Sequence, residues 1–535
     1  MIKQSKTFFS QHSRWLILLL LFSFILNFWG IHWGLPDYRG WAPDEVTPSN
    51  VLNGIKHHFS NGWYELYPPV QYYLLASCYL PVYLLDLCGL MDFNSYFSYT
   101  LFFFLGRFIS VLMGTGVILI CYLIAGELFS RQTALLVALF LALNPSFVYY
   151  SKVANTDVPY LFWFSLSLLF YVRLFKYHHQ LHHYIFFAAT AALSVCTKDM
   201  AYGLYVLPII SIFVSLSAEH RRDSSQAPFY RIIFDRRILL AFLTGVSIFL
   251  LVHNVFFNFE GFLNHLRKIT GPDVELFREY PNSLRGHLLM FVKAVRHIQF
   301  VMGWPFFLIS CAGLFLSVFT KGKKSVLNIF WAFIASYYLF VFVVLRYHYV
   351  RFFLPLSLVF GFYGGLFIDI LSKSERYSKI IYPAFLITAV YPLLMSISVN
   401  LSMTFDSRIH IEKWLNEHIR TDETTAFIGW KEYLPRKGDL EGEYIRDATV
   451  DSLEAFSPDY IVINERTCKC DGIEQALLEG SLNYRPLYRY HKNPWPVSWL
   501  LNQIYRDGKK QISTNLAKIN PPIAVFKRIE LGTQR

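Results

Sequence analysis

Two carboxylates stand side by side at Asp44 and Glu45, in the stretch Trp41-Ala42-Pro43-Asp44-Glu45. A carboxylate that a substrate can reach takes a proton from a hydroxyl or an amine, the work of a general base. The plain alternative is a solvated turn after Pro43. Location favours chemistry. The pair lies about ten residues beyond an apolar run from Trp15 to Trp33, long enough to cross a bilayer, which takes about 20 residues. In a chain that is only 16% charged, adjacent charges at the rim of such a run need a purpose.

Further groups can serve the same chemistry. Asp157 sits in Asn155-Thr156-Asp157-Val158-Pro159. Its default role is to N-cap the next helix, and Pro159 suits an early helical position. A capping Asp still faces the outer layer, where it can orient an acceptor or hold a divalent metal. Glu65 and Tyr67 precede Pro68-Pro69, which fix an extended entry. Tyr67 can stack on a sugar, and Glu65 suits a surface as well as a site. Lys198, in Thr197-Lys198-Asp199, either snorkels beside Asp199 or reaches a phosphate. Arg346, His348 and Arg351 fall in a turn between two apolar runs. The planar fork of arginine donates two parallel hydrogen bonds and so favours phosphate; anchorage at headgroups is the alternative. Arg267, Lys268, Arg278, Arg285, Lys293 and Arg296 suit a phosphate or headgroups equally. His178, His179, His182 and His183 resemble a metal cluster, but read as a solvated loop away from the carboxylates.

Membrane helices must position these groups. The chain has 535 residues, 54% of them hydrophobic and 18% aromatic, and a mean hydropathy of +0.35. A soluble domain rarely combines those values, so the chain reads as a polytopic membrane protein. The net charge of +12 comes from basic residues clustered between apolar runs. That pattern fits anionic headgroups and membrane topology and excludes a nucleic-acid partner. Cys78, Cys88, Cys121, Cys196 and Cys311 lie in apolar stretches. Cys468 and Cys470 are one residue apart, a poor disulfide, and have no second pair to make a zinc site.

Lys3, Lys6 and Arg14 flank the first run and place the N-terminus in the cytoplasm. The segment from Pro68 to Leu90 contains Pro81 and Asp86 and reads as lying on the membrane surface. Spans follow near 100–126, 133–150, 159–176, 184–197, 201–217, 238–257, 299–319, 326–345, 352–371 and 379–399, about eleven in all. Residues 1–399 therefore form a transmembrane domain. In residues 400–535 charges alternate with short apolar runs. Asp406 to Ile419 reads as an amphipathic helix with Ile409, Ile411, Trp414 and Leu415 near one side. Ala426 to Trp430 and Tyr460 to Ile463 read as buried strands. The fold class is an α-helical polytopic membrane protein with a small soluble α/β domain at its C-terminal end, outside the cell.

The order of motifs resembles the GT-C polytopic glycosyltransferases, in particular the protein O-mannosyltransferase and lipid A aminoarabinose transferase group. It rests on Asp44-Glu45, Tyr67-Pro68-Pro69-Val70-Gln71-Tyr72-Tyr73, Gly106-Arg107, and Asn144-Pro145 with Ser151-Lys152 and Asp157. Thr197-Lys198 and Arg351-Phe352-Phe353-Leu354-Pro355 complete it. The resemblance runs from about residue 14 to about residue 400. It implies a transferase that moves a sugar, with inversion, from a polyprenyl-phosphate carrier to a lipid, glycan or protein acceptor on the outer face of a bacterial or archaeal plasma membrane. It also implies Asp44 as the catalytic carboxylate, with Glu45 and Asp157 beside it. Arg351, Arg346, Lys198 and His348 would bind the donor phosphate, and Tyr67, Glu65 and Lys152 would position substrate. It requires no certain cofactor, although a divalent metal is compatible. The aminoarabinose transferases carry a Lys where this chain has Tyr67. No late loop is long enough for the β-trefoil of the protein O-mannosyltransferases, which argues against protein O-mannosylation specifically.

Two rival classes remain open at this stage: a lipid-linked glycan transporter or flippase, and a glycan polymerase or ligase. A transporter places charges deep within its spans, whereas these lie at the rim. The topology makes one direct prediction. Position 44, position 157 and residues 400–535 should all lie outside, and single cysteines at position 44 and on the surface of residues 400–535 should react with a membrane-impermeant thiol reagent from outside intact cells. Labelling of residues 400–535 only after permeabilisation would reverse the threading.

Overall fold

The computed structural model describes residues 11–37, 40–57, 67–223, 233–319, 326–466, 472–479, 481–491, 495–506 and 509–529. Glu65, Cys468 and Cys470 lie outside the described residues. Two compact units divide the chain. One holds Met1–Ile31 and Asp44–Ser396, the other His32–Pro43 and Ile397–Arg535.

The first unit is helical. It opens with α1 (Gln11–Phe28), α2 (Pro48–Lys56), α3 (Val70–Leu87), α4 (Tyr96–Leu128), α5 (Arg131–Ala142), α6 (Pro145–Tyr150), α7 (Asp157–Lys176), α8 (Leu181–Val195) and α9 (Val206–Asp223). Later helices include Arg236–Val252, Phe259–Thr270, Leu284–Met302, Trp304–Ser317, Val326–Tyr337, Leu354–Ser372 and Ile381–Thr404. α4 packs against α1, α5 and α7, and α7 against α8.

Six helical runs among the described residues are long and apolar enough to cross a membrane: Tyr96–Leu128, Asp157–Lys176, Asp199–His220, Leu327–Leu345, Val350–Ser372 and Ile381–His418. The count rises to seven if Leu284–Met302 and Trp304–Ser317, bent by 116°, form one span. The sequence suggested about eleven, and the difference has local causes. The segment expected at 133–150 is divided at Asn144-Pro145, because a residue before proline leaves the helical region. It becomes α5 and the six-residue α6. The segment expected at 299–319 breaks at Gly303, whose φ of 77° is left-handed. Arg14–Phe28 and Leu181–Val195 are apolar but shorter than 18 residues. α3, with Asp86 and the internal Pro81, is not among the six.

α4 has 33 residues, a length of about 50 Å at 1.5 Å per residue. A hydrocarbon core is about 30 Å thick. α4 is therefore longer than the apolar layer is thick, an excess that tilt or projection must absorb, and Gly106 and Arg107 lie about three turns from its start.

In the second unit, five strands form one sheet: β1 (Thr425–Ile428), β2 (Gly442–Ile445), β3 (Tyr460–Asn464), β4 (Tyr484–Tyr490) and β7 (Ile523–Arg528), in the order β2-β1-β3-β7-β4. A separate small ribbon pairs β5 (Tyr505–Arg506) with β6 (Lys509–Lys510). β1 runs parallel to β2 and β3; β7 is antiparallel to β3 and β4. Side chains alternate across the strands. Ala426, Ile428, Ile461, Ile463 and Phe526 pack with Leu453 and Leu477 on one face. Phe427, Val462 and Val525 pack with Ile411 and Leu415 on the other. Burial on both faces gives β1 and β3 their continuous apolar sequences. The helix Ser407–His418 begins one residue later than expected, with Asp406 as its N-cap. Ile409 points to solvent at 41% exposure instead of joining Ile411 and Leu415.

Asp406 and Arg408 are both fully buried in this unit. Arg408 Nε and Nη2 donate to the two oxygens of Asp406 at 2.9 and 2.8 Å. The same carboxylate accepts from Trp33 Nε1 at 3.0 Å and from Asn520 N at 2.8 Å. The guanidinium lies over Trp41, 4.3 Å from its ring centre. Residues 32–43 thus fold with the C-terminal domain, 373 positions away at the Trp33–Asp406 bond. Arg408→Ala leaves a buried carboxylate without its counter-charge and should cost about 3–5 kcal/mol. Protease resistance of the C-terminal domain on heating measures it; unchanged resistance would contradict the burial.

Candidate active site

Asp44 begins the second segment of the helical unit, immediately after Pro43. Its φ is +63°, a left-handed conformation that aspartate tolerates better than most residues and that recurs at functional sites. Its side chain is 39% exposed. Arg351 Nη1 donates to Asp44 Oδ2 at 2.7 Å and lies 4.0 Å from Asp157 Oδ2. The Lys198 ammonium pairs with Asp157 Oδ1. Two carboxylates and two cations from four separate segments therefore meet, with Asp157 almost wholly buried and Asp44 open.

Asp157 does not cap α7. The N-cap is Thr156, in helical conformation and without a side-chain cap bond. Asp157 occupies the first turn, where the positive end of the helix dipole favours its charge. Asn155 fixes it, accepting from Asp157 N at 3.1 Å and donating to Asp157 Oδ2 at 3.0 Å. Burial pulls the Lys198 ammonium below its ordinary pKa, and Asp157 acts in the opposite direction. Lys198 also lies over the Tyr160 ring at 5.4 Å. Arg351 lies between Tyr349 and Phe352, 5.6 and 5.8 Å from their ring centres. Its Nε is buried and has no hydrogen-bond partner among the described residues.

Glu45 faces elsewhere. Arg107 Nε and Nη2 donate to its two oxygens at 2.8 and 2.9 Å, and Ala154 N donates to Oε1 at 2.9 Å. Val46 N donates back to Ala154 O at 2.7 Å. Arg107 Nη1 also donates to Ile31 O at 2.8 Å. Gly106 permits this arrangement: a Cβ there would lie 3.0 Å from Ala154 Cβ. Sequence reading took Gly106-Arg107 only as one motif of the resemblance. An arginine inside a long apolar run was the available signal, because a buried guanidinium requires a partner.

The other expected residues take distinct places. Lys152 is buried, and its Nζ donates to Leu26 O and Trp29 O, both at 2.9 Å, at the end of α1. This is a common use of lysine at a helix C-terminus. Arg346 adopts a left-handed conformation at the end of the helix Val343–Leu345, and its carbonyl accepts from Glu279 N and Tyr280 N. His348 is buried, with its Nδ1 2.9 Å from His297 Nδ1 and its Nε2 3.1 Å from Met290 O. Burial holds its pKa below the usual imidazole value. Tyr67 is half-buried just before α3, whose Val70 N donates to Cys196 O at 3.1 Å beside the Thr197-Lys198 turn. Arg267, Arg278 and Lys293 engage Asn264, Glu275 and Glu279.

With this geometry established, known proteins supply a frame. Residues 103–234 match the family model described as dolichyl-phosphate-mannose-protein mannosyltransferase. The apo crystal structure of ArnT from Cupriavidus metallidurans superposes with a TM-score of 0.51 at 12% identity, covering 96% of this chain and 98% of that one. The chain resembles the GT-C glycosyltransferases of the mannosyltransferase and ArnT group. The same enzyme bound to undecaprenyl phosphate gives a TM-score of 0.47 at 12% identity, covering 96% and 98%. The Archaeoglobus fulgidus oligosaccharyltransferase tethered to an acceptor peptide gives 0.48 at 13% identity, covering 98% and 89%. No curated protein matches in sequence. Family match and fold together support a multi-pass membrane glycosyltransferase.

The Glu45–Arg107 pair yields a stability prediction. Side-chain exposures of 3% and 0% place it out of water, so Arg107→Ala should cost about 3–5 kcal/mol. Thermal unfolding of detergent-purified protein measures it. A loss below about 1 kcal/mol is the signature of a solvated pair and would contradict the burial.

Proposed function

We propose that this protein transfers a sugar, with inversion, from a polyprenyl-phosphate carrier to an acceptor hydroxyl or amine at the extracytoplasmic face. The observation that carries the reading is Arg351. It pairs with the exposed carboxylate of Asp44, lies beside buried Asp157, and keeps a buried Nε without a partner among the described residues. A guanidinium with an unused donor suits a phosphate oxygen. The matched family is described by a dolichyl-phosphate sugar donor, which is the same class of substrate.

In the proposed reaction the acceptor O–H or N–H gives its proton to Asp44. The acceptor's lone pair forms a bond to the anomeric carbon from the face opposite the phosphate. The bond from that carbon to the phosphate oxygen breaks, and its electron pair leaves with the carrier phosphate. Arg351 and Lys198 are the proposed cations for that developing charge, and Asp157 holds Lys198 in place. The work is positioning and electrostatic stabilisation. Arg351 has two competing anions, Asp44 and the donor phosphate. A phosphate that draws it away breaks its bond to Asp44, and a carboxylate with one cation fewer beside it accepts a proton more readily. Asp157 and Asn155 also fit one side of a divalent-metal site by donor type, and no step here requires an ion. Glu45, by its pairing, is proposed to hold the loop and not to touch substrate.

Asp44→Asn keeps the shape and removes the base, so turnover should fall by about 10²–10⁴ while the carrier still binds. Arg351→Lys should weaken donor binding despite keeping the charge, because an ammonium lacks the fork; loss of one charged hydrogen bond amounts to about 1.5–3 kcal/mol. Purified protein with a polyprenyl-phosphate sugar reports both. Mass spectrometry of membrane lipids should show the unused sugar carrier accumulating in Asp44→Asn cells. Parent-level turnover in Asp44→Asn would remove Asp44 from the mechanism.

A further inference from the structure

The imidazoles between α7 and α8 have no part in the proposed reaction, yet they do not stand alone. Glu219, near the end of α9, joins His178 and His179 so that one ligand atom from each lies within 4.8 Å of the others. The two imidazole rings are 4.0 Å apart. His179 Nδ1 is 3.5 Å from Glu219 Oε1. Two ligands about 2.0–2.1 Å from a tetrahedral zinc lie about 3.4 Å from each other. This nitrogen and oxygen already span one such edge.

A second layer of contacts orients the trio. Arg237 Nη1 donates to His178 O at 3.0 Å and lies 3.2 and 3.4 Å from the two oxygens of Glu219. Its Nε and Nη2 donate to Asp235 at 3.0 and 2.8 Å, so a second carboxylate balances its charge. One guanidinium thus fixes both the backbone of the histidine turn and the direction of the carboxylate. Outer partners that orient ligating groups in this way are a regular feature of metal centres.

We propose that His178, His179 and Glu219 bind a borderline divalent transition ion, Zn²⁺ or its Co²⁺ and Ni²⁺ analogues, with solvent at the remaining positions. Two imidazoles select such ions over Mg²⁺ and Ca²⁺, which require oxygen ligands. The ion clips the turn after α7 to the end of α9, and Arg237 is its positioning residue. This site stands independently of the sugar-transfer reading.

Full-length protein without tag histidines, purified in detergent, tests the site by calorimetric titration with zinc. One saturable equivalent is expected. His179→Ala and Glu219→Gln should each weaken binding at least about tenfold, and Arg237→Lys by about tenfold. His182→Ala should leave it unchanged. Binding should weaken on acidification, because only neutral imidazole coordinates. Zinc should raise the thermal midpoint of the parent and not of His179→Ala, since a ligand stabilises the state that binds it. Co²⁺ should give a visible d–d spectrum that His179→Ala loses. Absence of saturable binding would overturn the site. So would parent-level affinity in both His179→Ala and Glu219→Gln, or loss of binding in His182→Ala with His179→Ala unaffected.

Discussion

The helical unit depends on one buried carboxylate. Glu45 cannot keep its charge out of water without partners, and it finds them in two distant segments, Arg107 on α4 and the Ala154 amide before α7. Those bonds tie the segment before α2 to the segment before α7 and fix the neighbours of each. Asp44 precedes Glu45, and Asp157 follows Ala154 by three positions. Arg351 can touch one carboxylate and approach the other only because the two loops are held in register. Such a pair contributes little net stability over an apolar replacement. Its contribution here is geometric: it sets where two backbone segments lie.

Around that tie, burial separates the charged groups by role. Asp157 is 2% exposed and Asp44 is 39% exposed. The buried carboxylate has Lys198, Arg351 and Asn155 about it and is suited to hold cations in place. The open one is held by Arg351 at its exposed end and is suited to exchange partners. His348 and Lys152, which sequence grouping placed with phosphate and substrate, lie against Met290 O and against Leu26 O and Trp29 O at the end of α1. Cationic side chains at the ends of helices often terminate the backbone, and residue type alone does not distinguish that from ligand binding.

Asp44 and Arg351 were legible in the sequence because a charge beside a long apolar run is rare and therefore conspicuous. The partner of Glu45 was not, because the pair is separated by 62 positions and nothing in either segment encodes the other. Arg107 was nevertheless visible as a cation that interrupts an apolar run, and a demand for its counter-ion would have led to Glu45. Fewer helices among the described residues meet the length test than the sequence suggested, because hydropathy ignores backbone geometry at Asn144-Pro145 and at Gly303. In the C-terminal sheet, β1 and β3 were readable as short continuous apolar runs. β4, Tyr-Arg-Pro-Leu-Tyr-Arg-Tyr, was not: it is an edge strand, and its pairing with β7 shifts register between Pro486 and Tyr488. Proline belongs at such an edge, but there it hides the strand from a pattern search.

The Arg351–Asp44 bond raises a chemical question that its length alone does not answer. A carboxylate locked to a guanidinium is a poor base, yet in the proposed reaction the same guanidinium also serves the leaving phosphate. Both demands are met if one cation serves two anions in turn. In water the exchange would gain little, because solvent screens each pair; at a site 17% exposed for Arg351 the charges act at lower effective dielectric. Lys198 adds to this logic. It is buried against Asp157, so it can remain as the fixed counter-charge while Arg351 moves. With one cation fixed and one exchangeable, arrival of a donor phosphate would itself loosen the hold on the proposed base, linking proton acceptance to the presence of the group that must leave.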